Sequence, residues 1–193
     1  MADEWPNIRS RLTTKISPWV DVIAREVEFA SGAEPQLYHS VGQQDYLAML
    51  AVAPDGRIPL VRQYRPAVEA FTWELPAGLV DAGEDPAEGA GRELREETGY
   101  PARKIQSLGA SFPCTGRFSN RIHSFFIETE ERVPDFQPEP GVTVKLVTPD
   151  ELLGLIKTGD FAQQQHLGTL MLAELRGLLK LPREPATLAW PAG

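Results

Sequence analysis

The sequence predicts an α/β fold, a mixed sheet with helices packed on it. Three observations predict it. Short apolar runs separated by turn signals fill most of the chain ahead of residue 149. One sharply delimited helix sits in the middle, after Asp85. Two further helical stretches, "PDELLGLIKTG" and "AQQQHLGTLMLAELRGLLKL", follow the last strand. A length of 193 residues suits one ordinary domain with an appendage.

Residues 1–18, "MADEWPNIRSRLTTKISP", have no period and end in a proline, which predicts a loose arm. "WVDVIAREVEF" alternates apolar and polar residues and reads as a strand, "SGAEP" as a turn and "QLYHSV" as a second strand. "DYLAMLAVAPDGRIPLVRQYRP" predicts a hairpin closed by Pro54-Asp55-Gly56. "FTWELPAG" is a short strand stopped by proline and glycine. The central helix has its ends written into the chain. Asp85 suits the N-cap, Pro86 the first helical position, and Glu88 completes a capping-box spacing. Gly99 suits the left-handed residue that ends the helix after Thr98. "KIQSLGASF", "IHSFFIET" and "VTVKLVT" read as strands. The end, "PREPATLAWPAG", is a Pro-rich tail, and Trp5 and Trp190 either pack across a dimer or dangle.

Composition narrows the class of function. Hydrophobic residues make up 42% and charged residues 24%, enough for a packed core. A net charge of -8 argues against a nucleic-acid surface and makes an anionic substrate awkward unless a cation mediates. The one cysteine, Cys114, has no partner for an internal disulfide, which suits a reducing compartment. No secretory leader opens the chain, and the longest apolar run is too short to span a bilayer, so a soluble cytoplasmic protein without membrane partners is expected.

The chemistry lies in "AGLVDAGEDPAEGAGRELREETGY", Ala77 to Tyr100, which holds seven carboxylates. At about 100° per residue, Glu93 and Glu97 stack on one helical face with Glu96 at its edge. Ala87, Ala90, Leu94 and Thr98 form the opposite, packing stripe. Three carboxylates so close repel one another, and a hard cation such as Mg2+, which prefers oxygen ligands and retained water, removes the repulsion. Arg92 has the spacing to pair with Glu88 or Glu96 and orient them. Gly78 and Gly83 allow a tight loop whose carbonyls point inward. The plain alternative is a solvated acidic face on a structural domain.

The order of residues favours the chemical reading. Gly78, five residues, Glu84, seven residues, Arg92-Glu93-Leu94, one residue, Glu96-Glu97, one residue, Gly99 and an apolar Tyr100 match every fixed position of the Nudix hydrolase signature. The resemblance implies a Nudix α/β/α sandwich with a mixed sheet over residues 45–181, with residues 1–44 as an arm and dimerisation strands and 182–193 as the tail. It also implies hydrolysis of a nucleoside diphosphate linked to another group.

"VRQYRP" and "TWELPAG" resemble the ADP-ribose and nucleotide-sugar pyrophosphatase branch. That resemblance implies that Glu93, Glu97 and the Ala77 carbonyl hold Mg2+, with Mn2+ as an alternative. Glu96 would bind metal or water, and Arg92 would orient the glutamates. Arg65 would grip the substrate, or else form a surface salt bridge. Trp19 and Tyr38 would sandwich the base in a homodimer, or else be core aromatics. Gly116 and Ser119 fall in the loop that contacts substrate. The products would be a nucleoside monophosphate and a sugar phosphate.

Two departures stand out. Pro113 comes early for the branch's loop proline, and the late loop has Val142 and Thr143 where many members carry a glutamate. Glu139, Glu96 or a water activated at the metal would then supply the base. The rival reading is a nucleotide-sugar-binding module with little catalysis. His39, His123 and His166 are dispersed and read as structural or surface residues, and Cys114 has no base beside it.

Overall fold

The computed structural model describes residues 6–182, so Trp5, Trp190 and most of the Pro-rich tail lie outside the described residues. The chain divides into two compact units. One holds the residues through Asp45 together with Phe112–Arg121, and the other holds Tyr46–Ser111 and the residues from Ile122 onward.

The first unit is an antiparallel sheet in the order β1 (Asn7–Lys15), β2 (Asp21–Glu28) and β3 (Gln36–Gly42). The loose arm expected at the start is therefore a strand from Asn7, paired with β2 along its length. All nine of its residues are exposed. It is held by ladder hydrogen bonds and polar cross-strand contacts, such as Ser10 to Glu26 at 2.8 Å, so no buried stripe marks it in the sequence. The second strand begins at Asp21 rather than Trp19, because the Ile16 and Ser17 amides both close a turn on the Val20 carbonyl.

The second unit carries β4 (Tyr46–Val52), β5 (Ile58–Arg65), β6 (Ala70–Glu74), β7 (Ala77–Leu79), α1 (Pro86–Thr98), β8 (Ala102–Ser111), β9 (Ile122–Thr129), β10 (Thr143–Val147), α2 (Pro149–Thr158) and α3 (Gln164–Leu175). Four strands form a mixed sheet, β7-β4-β9-β8, with β4 and β9 parallel. A second, antiparallel sheet runs β10-β5-β6.

The expected hairpin of β4 and β5 does not form. The turn is present, with the Ala53 amide on the Arg57 carbonyl at 2.8 Å, but it hands the chain from one sheet to the other. The reason lies in the apolar run of β4. Leu47, Met49 and Ala51 pack with α1 residues Ala90 and Leu94, while Leu50 belongs to the opposite cluster with Leu170 and Ala173 of α3. A strand covered on both faces sits centrally beside a parallel neighbour, and both its edges are taken by β7 and β9. The result is a helix on each side of the four-stranded sheet, the mixed-sheet sandwich expected.

α1 starts and stops where the sequence says. The Asp85 side chain accepts from the Ala87 amide at 2.8 Å, Pro86 opens the helix, and Gly99 ends it with φ 76°. The capping box expected with Glu88 is instead found at α2, between Thr148 and Glu151. α3 is shorter than the expected 162–181, since Gly177 turns left-handed at φ 69° and releases the chain. Its Leu and Met stripe divides: Leu170 and Ala173 are buried, whereas Met171 and Leu175 face outward.

Candidate active site

The site is built where β7 lies against α1. Glu93 and Glu97 leave the helix one turn apart, and both are partly buried. Glu97 accepts from the Ala77 amide at 2.9 Å. Gly78 is what lets the loop come this close, because a Cβ there would overlap the Glu93 side chain.

Arg92 organises the remaining acids. Its Nε and Nη2 fork onto the two Glu84 oxygens at 2.9 and 3.0 Å, and its Nη1 donates to Glu93 at 2.9 Å and to Glu96 at 3.2 Å. Of the two partners weighed for Arg92, Glu96 is bonded and Glu88 is not, its place being taken by Glu84. Gly83, at φ 82°, turns the loop so that Glu84 faces the arginine, and the Asp81 amide holds the same carboxylate at 3.1 Å. Glu96 is the outlying member, with its side chain 59% exposed.

The electrostatics separate these carboxylates. Burial pushes the Glu97 carboxyl up to about 8, opposed by the Ala77 amide and reinforced by Glu93. Burial also raises Glu93, and the Arg92 bond offsets this only in part. Glu84 is lowered, chiefly by its bonds from Arg92. Thus Glu93 and Glu97, beside the Ala77–Gly78 segment, are the acids whose ionised forms burial disfavours by more than their bonds restore.

Among the described residues no three His, Cys, Asp or Glu side chains converge as a ready cage. Mg2+ does not require one, since it keeps several waters and is bound through one or two carboxylates. Two half-buried carboxylates with raised pKa values, on an all-oxygen set, fit such an ion.

Arg65, at the end of β5, is bound through Nε to Glu74 at 2.8 Å and through Nη2 to the other oxygen of the same carboxylate. This is a salt bridge to a buried acid, not the surface pair weighed as the alternative, and Nη1 has no bond among the described residues. The Arg65 charge lowers Glu97 and the Glu74 charge raises it, so the three share one field. Burial works to raise Glu74, but the bonds from Arg65 and Thr72 outweigh it and hold the carboxyl below its ordinary range.

Trp19, Tyr38, Gly116 and Ser119 belong to the first unit. Tyr38 donates its hydroxyl to the Gly116 carbonyl, with the Arg117 guanidinium 5.7 Å from its ring centre. Ser119 is fixed on the Val41 carbonyl, 3.1 Å from its amide. Trp19 is 64% exposed in the β1–β2 connection, so neither it nor the half-buried Tyr38 is a core aromatic. Glu139 is exposed, its carbonyl accepting from the Val142 amide at 3.0 Å ahead of β10.

Sequence reasoning missed Glu74, Gln163 and the deep burial of His166. A lone acid between Trp73 and Leu75 in "FTWELPAG" was the available signal for the first. An open depression of about 610 Å³ lies on the flank of α1 between Arg92, Arg95, Glu96 and Phe136. It shares Arg92 and Glu96 with the acid cluster but does not include Glu93 or Glu97.

The NUDIX domain family matches residues 43–167. The chain is 29% identical over 164 residues to the ADP-ribose pyrophosphatase of Bacillus subtilis (strain 168), covering 83% of this chain and 88% of that protein. It is 26% identical over 167 residues to the ADP compounds hydrolase NudE of Escherichia coli (strain K12), covering 85% of each. A crystal structure of an ADP compounds hydrolase matches with a TM-score of 0.73 over 90% of this chain and 97% of that chain, at 23% identity, a likeness of fold.

Proposed function

Because the chain belongs to the Nudix hydrolase family, we propose that it hydrolyses the pyrophosphate bond of ADP-ribose or a related nucleoside diphosphate sugar, releasing a nucleoside monophosphate and a sugar phosphate. The observation that carries this reading is the pair Glu93 and Glu97, half-buried beside Ala77 with raised pKa values. ADP-containing substrates are favoured by the names of the two relatives, which act on ADP-ribose and on ADP compounds.

A divalent cation bound there, Mg2+ with Mn2+ as an alternative, would screen the diphosphate and lower the pKa of a bound water. Glu93, Glu97 and the Ala77 carbonyl would hold it. Arg92 holds Glu93 and Glu96 in place and anchors Glu84 across the loop. Glu96, more exposed than Glu84 and Glu93, is suited to orient water. Arg65 is fixed by Glu74 with Nη1 left to meet a phosphate or ribose oxygen. The β1–β3 sheet, with Ile8, Leu12 and Leu37 exposed, is suited to a homodimer face. Trp19, Tyr38, Gly116 and Ser119 would contact the base and sugar.

The test is a panel of nucleoside diphosphate sugars incubated with Mg2+, with monophosphate release measured. ADP-ribose should be turned over, and Glu97→Gln should lower turnover about 100-fold or more with the fold retained, since it removes an ion ligand and no packing. Binding without product at any metal concentration would favour a binding module instead.

A further inference from the structure

We propose that His166 and Gln163, at the start of α3, are positioning residues for Glu97: they clamp Glu74 and Leu75, and so fix Ala77, whose amide holds the Glu97 carboxylate. The proposal rests on the cation reading of Glu97 given above.

The clamp is polar where the fold alone calls for apolar side chains. Glu74 is 1% exposed, yet it is fully engaged. Besides Arg65, it accepts from the Thr72 hydroxyl at 2.5 Å. With the Gln163 amide turned so that its nitrogen faces the carboxylate, Gln163 donates to both Glu74 oxygens at 3.2 and 2.8 Å, and its oxygen accepts from Gln165 at 3.1 Å. Gln163 occupies the N-cap of α3 but makes no side-chain cap bond there. Its amide serves the remote acid instead of its own helix.

His166, 1% exposed and three residues on, accepts the Leu75 amide proton on Nδ1 at 3.2 Å. That bond fixes the neutral ring with its proton on Nε2. From Leu75 the chain reaches the site in two residues. The Pro76 carbonyl accepts from Met49 at 3.0 Å, and the Ala77 amide donates to Glu97 at 2.9 Å. The Leu75 amide, the Pro76 carbonyl and the Ala77 amide are thus tied in turn to α3, to β4 and to the carboxylate itself. Groups that orient a metal ligand without touching the metal act in this way.

The experiment measures Mn2+ binding by the loss of the free-ion EPR signal in the full chain, for wild type, Glu97→Gln, His166→Ala, His166→Asn and Gln163→Ala. His166→Ala leaves the Leu75 amide without its acceptor and should weaken Mn2+ about tenfold, the scale of losses when a ligand's supporting bond is removed. In His166→Asn the side-chain oxygen can take the place of Nδ1, and affinity should return to within about twofold of wild type. At saturating Mn2+, turnover of ADP-ribose by His166→Ala should stay within about threefold of wild type, because ligand placement, not the reacting groups, has changed.

A folded His166→Ala with wild-type affinity, or a His166→Asn no better than the alanine, overturns the clamp. Should His166→Ala not fold, Gln163→Ala decides: several-fold weaker binding supports the clamp and wild-type affinity overturns it. Wild type and Glu97→Gln binding Mn2+ equally poorly would remove the cation reading and the clamp with it. Loss in Glu97→Gln with none in either α3 variant removes the clamp alone.

Discussion

Gly78 shows how one missing side chain can set a site. A Cβ at this position would occupy the space of the Glu93 carboxylate, while the backbone there is not left-handed and alanine could otherwise be accommodated. Gly78→Ala should therefore spare the fold and displace Glu93. The expected result is an apparent Mg2+ requirement for turnover raised about tenfold or more, with the melting temperature within about 3 °C of wild type. An unchanged Mg2+ requirement would mean that Glu93 is not held where the ion is needed. Arg92 makes a related point. Its fork on Glu84 and its third arm to Glu93 and Glu96 bind a loop and a helix through one guanidinium, which lysine could not reproduce.

At the scale of elements, α1 is the platform and its cap is local. Asp85→Ala removes the acceptor for the Ala87 amide and should cost about 1 kcal/mol, read as a lower urea midpoint with an unchanged slope. No change would show that the helix is held entirely by its packing on Leu47 and Met49. This element was legible in the sequence because its signals act over four residues: Asp85, Pro86 and Gly99 each satisfy a backbone need at their own position. The acid pair was legible for the same reason. The strand β1 was not, because a fully exposed edge strand is chosen by its partner rather than by its own pattern. Nor was the separation of β4 from β5, since the Pro-Asp-Gly turn says that the chain reverses and not which sheet it rejoins. Glu74, Gln163 and His166 meet across about ninety residues, and no spacing rule spans that interval.

For the whole molecule, two buried groups shape stability against pH in opposite directions. His166 is lowered to about 4 by burial, so its contribution is intact above the unfolded value near 6.5 and is lost as pH falls from there toward 4. Glu97 is raised to about 8, so the metal-free protein loses stability as pH climbs from about 4.5 through 8, where a buried carboxylate must ionise. Between 4.5 and 6.5 the two slopes oppose each other, and above 6.5 Glu97 acts alone. Thermal melts without metal should decline from pH 6.5 to 8 by on the order of 2 kcal/mol, and saturating Mg2+ should abolish that decline. An alkaline slope that survives Mg2+ would argue that the ion does not reach Glu97.

The most direct measurement is the anomalous difference density of a crystal grown with Mn2+. A peak bonded to carboxylate oxygens of both Glu93 and Glu97, beside the Ala77 carbonyl, is the predicted result. Saturating Mn2+ with no peak at that position, and with Glu97 still held solely by the Ala77 amide, would contradict it.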